Sequence, residues 1–367
     1  MAERESEIAQ KLERINDLLN KTSLQGICLS KAINFAWVTA GGNNRVVTSM
    51  ETGAAAIVII NNKKYIVAPK NEIERFMEEQ VPDLGFEPWT YEWYDSREQA
   101  IHNLVGEKKI GTDIPMGSWP VLGVELNRLR YSLTIEEVKR AHELSEICSR
   151  EIAATCVSIV PGQTEFEIQA ELSRKLIYYG VRPAVMLVAT DERTKYRHPV
   201  PAGNQLHKYA VLGLVGEKGG LHIAVTRSVY FGSLPETIKH YYDVALLVQK
   251  TFMENCQIGA DSQSIFDEGR KAYASAGFPN EWKRHHQGGA IGYAPREYRA
   301  GEGQSEVIVP NQMLAWNPTV EVTKSEDTLL LTPQNTVNLL TSVPEWWPTL
   351  RVVVRNSQIK LPLILER

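Results

Sequence analysis

The sequence predicts an α+β protein of two domains, the first over residues 1–130 and the second over 131–367. Three observations carry this. At 367 residues the chain is too long for one ordinary core. Its 43% hydrophobic and 23% charged content is that of a globular fold. Its rhythm also changes near residue 130. Before that point short apolar runs alternate with helical stretches, and after it come long capped helices followed by strands.

Residues 1–21 read as an amphipathic helix, with Ile8, Leu12, Ile15 and Leu19 on one stripe. Residues 54–60 form an apolar run, 61–64 a turn and 65–68 the returning strand, which together make a hairpin. A helix over 71–80 and a short strand at 109–111 complete a small α/β half. The second half opens with a capping box: Thr134 precedes the helix and Glu137 follows three residues later. That helix runs to about Ser158 and stops before Pro161 and Gly162. Thr164 and Glu167 repeat the device, and Gly180 ends the second helix in the position that favours a left-handed residue. Further helices are expected over 236–256 and 264–276. Strands are expected over 185–189, 210–215, 223–231, 307–315 and 328–332. The cluster of Pro344, Trp346, Trp347 and Pro348 reads as a packed turn.

Composition excludes some function classes. A net charge of -4 and a pI near 6.1 supply no basic face for nucleic acid. No apolar run reaches the ~18 residues of a membrane span, and residues 1–21 lack the apolar core of a secretory signal. Four scattered cysteines without a CxxC spacing read as reduced thiols, which suits a cytoplasmic protein.

Five segments carry a resemblance: LTIEEV at 133–138, VPGQTE at 160–165, RHP at 197–199, VTR at 225–227 and SEDT at 325–328. In order and spacing they resemble the pita-bread family of creatinase, prolidase and aminopeptidase P, over roughly residues 134–332. The resemblance implies a curved antiparallel sheet with flanking helices in the second half and a smaller creatinase-like α/β domain before it. In the family's metallopeptidases two Asp, one His and two Glu hold two metal ions. The matching positions here are Gly213, Ala224, Gly289 (or Ala290), Asn317 and Glu326. One carboxylate cannot hold a metal pair, so no metal or other cofactor is expected. Glu217 and His222 lie nearby in sequence but match no ligand position, and they read as solvated strand-edge residues.

Creatinase works without metal, and its resemblance implies a catalytic histidine at His198, general base and acid at a C–N bond. A loop histidine held for structure is the plainer alternative. The creatinase carboxylates fall on Thr226 and Asn317, so creatine itself does not fit. The HHQGG run brings His285 and His286 to a glycine-rich strand, and Arg296 and Glu297 stand where the family has a substrate-side His-Glu pair. His286 is expected as a second acid or base, with Glu297 or Glu326 orienting a histidine. Thr226, His285, Arg296 and Asn317 are expected to contact substrate. Arg45 matches an arginine that creatinase sends into its partner subunit's site. There it would clamp a substrate carboxylate, and a homodimer would follow. The resulting expectation is a metal-independent hydrolase or lyase of a small carboxylate-bearing molecule or short peptide. The two alternatives are a non-catalytic binding protein of this fold and a metal-dependent Xaa-Pro peptidase.

Overall fold

The computed structural model describes residues 2–367 and divides into two compact units, Met1–Arg130 and Tyr131–Arg367. The first unit is built on a five-stranded mixed sheet of β1 (Gly26–Lys31), β2 (Thr52–Ile60), β3 (Lys63–Pro69), β4 (Phe86–Tyr91) and β5 (Ile110–Thr112), in the order β4-β3-β2-β1-β5. Asn61 and Asn62 join β2 to β3, with φ of 53° and 60°. Asparagine tolerates this left-handed backbone, so a two-residue turn closes the hairpin where four residues were expected. Five helices accompany the sheet: α1 (Ala2–Thr22), α2 (Ala32–Val38), α3 (Lys70–Arg75), α4 (Arg97–Val105) and α5 (Val124–Arg128). The helix expected over 71–80 is α-helical only to Arg75 and then widens into a π turn over Phe76–Gln80. On α1, Ile8, Ile15 and Leu19 are buried as their spacing implies. The same face also buries Glu7 and Lys11, paired one turn apart at 2.5 Å.

The second unit carries two main sheets. One holds β6 (Arg182–Thr190), β7 (Tyr209–Lys218) and β8 (Leu221–Tyr230), antiparallel in that order. The other runs β10-β9-β11-β14-β15, from β9 (Gly288–Ala290), β10 (Tyr298–Arg299), β11 (Gln312–Trp316), β14 (Asp327–Leu331) and β15 (Val337–Leu339). A short ribbon of β12 (Thr319–Val320) and β13 (Thr323–Lys324) leads into β14. The helices are α6 (Ile135–Ser158), α7 (Glu165–Tyr178), α8 (Glu236–Asn255) and α9 (Ser262–Ser275). Both capping boxes form as read, at Thr134 with Glu137 and at Thr164 with Glu167. Helix α9 starts earlier than expected because Asp261 accepts from the N–H of Ser264. Strand β11 starts later than expected: Pro310 has no N–H to give, and Asn311 turns the chain with φ 54°. The tail forms a hairpin of β16 (Thr349–Val354) and β17 (Ser357–Pro362), then β18 (Leu365–Glu366), which lies parallel beside β8. Trp347 is buried, and its Nε1 donates to the Leu363 carbonyl at 2.9 Å. All four cysteines are buried and free. No described helix is long and apolar enough to cross a membrane.

Candidate functional site

A cavity of about 180 Å³ opens in the second unit, lined by His198, His286, Arg296, Arg299, Lys324 and Glu326 among others. Its centre is the carboxylate of Glu326, which is 4% exposed. The Glu326 Oε2 accepts from the Thr226 hydroxyl at 2.7 Å and lies 2.9 Å from Lys324 Nζ. Its Oε1 accepts from Arg296 Nη2 and Asn317 Nδ2, both at 3.3 Å. Burial resists ionisation of this group. Lys324 and Arg296 beside it, with the Lys324 and Thr226 hydrogen bonds, outweigh burial and hold the carboxyl down at about 2. A main-chain bond from the N–H of Thr226 to the Glu326 carbonyl joins the two sheets at this point.

The histidines sit beside this carboxylate because an ion cluster fixes two loops together. Arg197 donates to Glu281 at 2.5 Å and to the Glu321 carbonyl. Glu281 also takes Arg284 at 3.2 Å and the N–H of Glu321 at 3.1 Å. Arg197 precedes His198, and Arg284 precedes His285, so the cluster brings the two imidazoles together. His285 Nε2 lies 3.1 Å from His198 Nε2, and His286 stacks on His285 at a centroid distance of 4.3 Å. Gln287 holds the strand start by donating to the His285 carbonyl at 2.6 Å. His198 is exposed, His286 half-buried and His285 buried. Burial, reinforced by the charge of Lys324, pushes His285 down to about 2. Burial with Arg296 and Arg299 pushes His286 down to about 3. His198 is lowered in the same direction by burial and Lys324. Neutral imidazoles can accept a proton or ligate a metal.

The residues that the sequence resemblance matches to the family's metal ligands do not offer the donors of a metal pair. Gly213 faces Thr226 across the ladder of β7 and β8, and a Cβ there would sit 3.3 Å from the Thr226 hydroxyl. Ala224 is bonded at both N–H and C=O to the Thr328 hydroxyl. A Cβ on Gly289 would meet the Tyr298 carbonyl at 2.3 Å, so this backbone leaves no room for a histidine. Glu326 is already taken by two protein cations. Beside the expectation that no metal is held at the matched positions, the structure offers a different group. One nitrogen from each of His198, His285 and His286 falls within 4.8 Å of the others, a group that could hold one ion. Arg296, Arg299 and Lys324 set a positive field around that group.

His198, His286, Arg296, Asn317 and Glu326 line the cavity, with Thr226 bonded to Glu326 and His285 to His198 behind them. Glu297 is buried and engaged with the backbone: its Oε1 accepts from the N–H groups of Tyr293 and Ala294 at 3.0 and 3.2 Å. At the histidines, His198 meets His285 rather than Glu297 at hydrogen-bond distance. Arg45 belongs to the first unit, where its N–H donates to Asn43 Oδ1 at 2.9 Å. Glu217 and His222 are buried, against the solvated edge expected of them. They face each other across the ladder of β7 and β8. Glu217 pairs with Arg182, and His222 Nδ1 lies 3.1 Å from the Gly292 carbonyl. Lys324 and Arg299 were missed. The signal for Lys324 was its place two residues before Glu326, since alternate residues of extended chain share a face.

The fold recurs in known proteins. Residues 136–333 match the model of metallopeptidase family M24. The Xaa-Pro dipeptidase of Pyrococcus horikoshii is 21% identical over 360 residues, covering 90% of this chain and 96% of its own. The crystal structure of the prolidase from Pyrococcus horikoshii OT3 superposes with a TM-score of 0.78 at 18% identity, covering 92% of this chain and 99% of that one. The N-terminal domain of the FACT complex subunit SPT16 from chickpea shares the fold, with a TM-score of 0.72 at 10% identity over 93% of this chain and 97% of that one. With more than half of its length matched, the chain belongs to metallopeptidase family M24.

Proposed function

We propose that the protein is a hydrolase of this family acting on a C–N bond of a small carboxylate-bearing molecule or short peptide, without the family's metal pair. The observation that carries this is the state of Glu326: Lys324 and Arg296 take the charge that metal ions would take. A metal dication there would have to displace both. His198, exposed and with a lowered pKa, is then the general base. Its contact with His285 orients the ring, and His286 stands beside it. Taking a proton from water, His198 would generate the nucleophile and return the proton to the leaving nitrogen. A homodimer with Arg45 reaching a partner's site belongs to the same reading and rests on the creatinase resemblance.

The test is turnover of short peptides and N-acyl amino acids by chelator-treated protein. Activity is expected to survive chelation, and His198→Ala is expected to lower it by about 10²-fold or more. A metal-dependent Xaa-Pro dipeptidase is the second reading, favoured by the relatives and by the three-imidazole group. Activity that vanishes with chelator and returns with Mn²⁺ or Zn²⁺ would establish it and overturn the first.

A further inference from the structure

The lining of the cavity carries three cations, Arg296, Arg299 and Lys324, against the carboxylate of Glu326. Two positive charges therefore remain uncompensated where the family gathers acids. Three wall atoms are buried without a hydrogen-bond partner among the described residues: Arg296 Nε, a donor, Asn317 Oδ1, an acceptor, and His286 Nδ1, which is either according to its tautomer. Asn317 is 2% exposed, and its amide nitrogen is already given to Glu326. Buried polar atoms are rarely left unmatched, because each forfeits its bond to water. The unmatched Arg296 donor and Asn317 acceptor, with the excess charge, describe a complement: an anion that also carries an N–H. A cavity of about 180 Å³ holds the equivalent of about six waters, the scale of a small acylated amino acid.

We propose that this cavity is a subsite for a small carboxylate bearing a secondary amide. Arg299 and Lys324 receive the carboxylate, and the amide N–H donates to Asn317 Oδ1. The proposal rests on the reading of this cavity as the substrate site. It also sets the protein apart from its Xaa-Pro relatives, because an acylated proline nitrogen has no hydrogen to donate.

Titration calorimetry with four probes tests it: N-acetylglycine, its neutral amide N-acetylglycinamide, the cation glycinamide, and N-acetylproline. N-acetylglycine is expected to bind, and to bind more weakly as salt rises. The neutral amide, the cation and N-acetylproline are each expected to bind at least about tenfold more weakly, the cost of a lost charge-assisted or buried hydrogen bond. Arg299→Gln and Lys324→Gln are expected to weaken N-acetylglycine by a similar factor. Lys324 is paired with buried Glu326 and its loss could disturb the fold, whereas Arg299 is exposed and keeps the test intact. No binding of N-acetylglycine at millimolar concentration, equal binding of it and its amide, or tighter binding of N-acetylproline would each overturn the proposal. Unchanged affinity in Arg299→Gln would do the same. Binding that persists in His198→Ala while no probe is ever turned over would sink the hydrolase reading and leave this subsite standing.

Discussion

Glu326 and the histidines beside it show how single residues answer to their neighbours. The carboxylate keeps its charge in a buried place because Lys324, Arg296, Thr226 and Asn317 hold both oxygens. His285 and His286 lose theirs for the opposite reason: burial removes water, and Lys324, Arg296 and Arg299 face them more closely than Glu326 compensates. Each has a folded pKa below its unfolded value of ~6.5, so the unfolded chain binds protons that the folded chain refuses. Stability contributed by the pair is therefore complete above about pH 6.5 and falls as pH drops toward 3. The slope is at most about 1.4 kcal/mol per pH unit for each histidine. Urea unfolding from pH 7 to 4 measures this. The double variant His285→Gln, His286→Gln is expected to flatten the slope, and an identical pH dependence in both proteins would show that the imidazoles are not buried as described.

At the scale of elements, the two kinds of signal behaved differently. Helix starts were legible because a capping box is a local exchange of two hydrogen bonds, complete within four residues. Thr134→Ala is accordingly expected to cost about 1 kcal/mol in urea unfolding. Strand β9 was legible as glycine-rich, but the reason for its glycines was not. Gly288 and Gly289 have φ of 116° and 142° and press on the backbones of β11 and β10, at 2.1 Å and 2.3 Å for an added Cβ. Gly289→Ala is expected to cost about 2 kcal/mol or more, in contrast to the mild cost of alanine at an open turn. A loss below about 0.5 kcal/mol would show that β9 has room to accept a side chain, and with it the option of a family-like histidine. The tail hairpin and β18 went unread, since their alternation is short and β18 pairs with a strand more than a hundred residues earlier.

For the whole molecule, the question is whether a metal ion belongs to the folded state. A ligand held only by the native protein stabilises it by about 2.7 kcal/mol at a hundredfold excess over Kd. Thermal unfolding with Mn²⁺, Co²⁺ or Zn²⁺ is therefore a direct measure. On the proposed metal-free reading no rise in Tm is expected with Mn²⁺, because the resemblance matches the ligand positions to Gly213, Ala224, Gly289 (or Ala290) and Asn317, and Glu326 is paired. A rise of several degrees with Zn²⁺ or Co²⁺ that disappears in His285→Ala would locate an ion on the three imidazoles and turn the second functional reading into the better one.

The sequence by itself determined the family, the two-part organisation and the capped helices, because each is written in residue identity and local spacing. It also named part of the cavity wall, at His198, His286, Arg296, Asn317 and Glu326. Only the tertiary structure decided what those residues meet. Lys324 and Arg296 converge on Glu326 from different strands or loops, and the Arg197–Glu281–Arg284 cluster carries His198 to His285 across 87 positions of chain. Glu217 and His222 are buried partners rather than solvated edges for the same reason. Charge complementarity acts between side chains close in space, and its energy depends on separation and burial, which residue order alone does not encode.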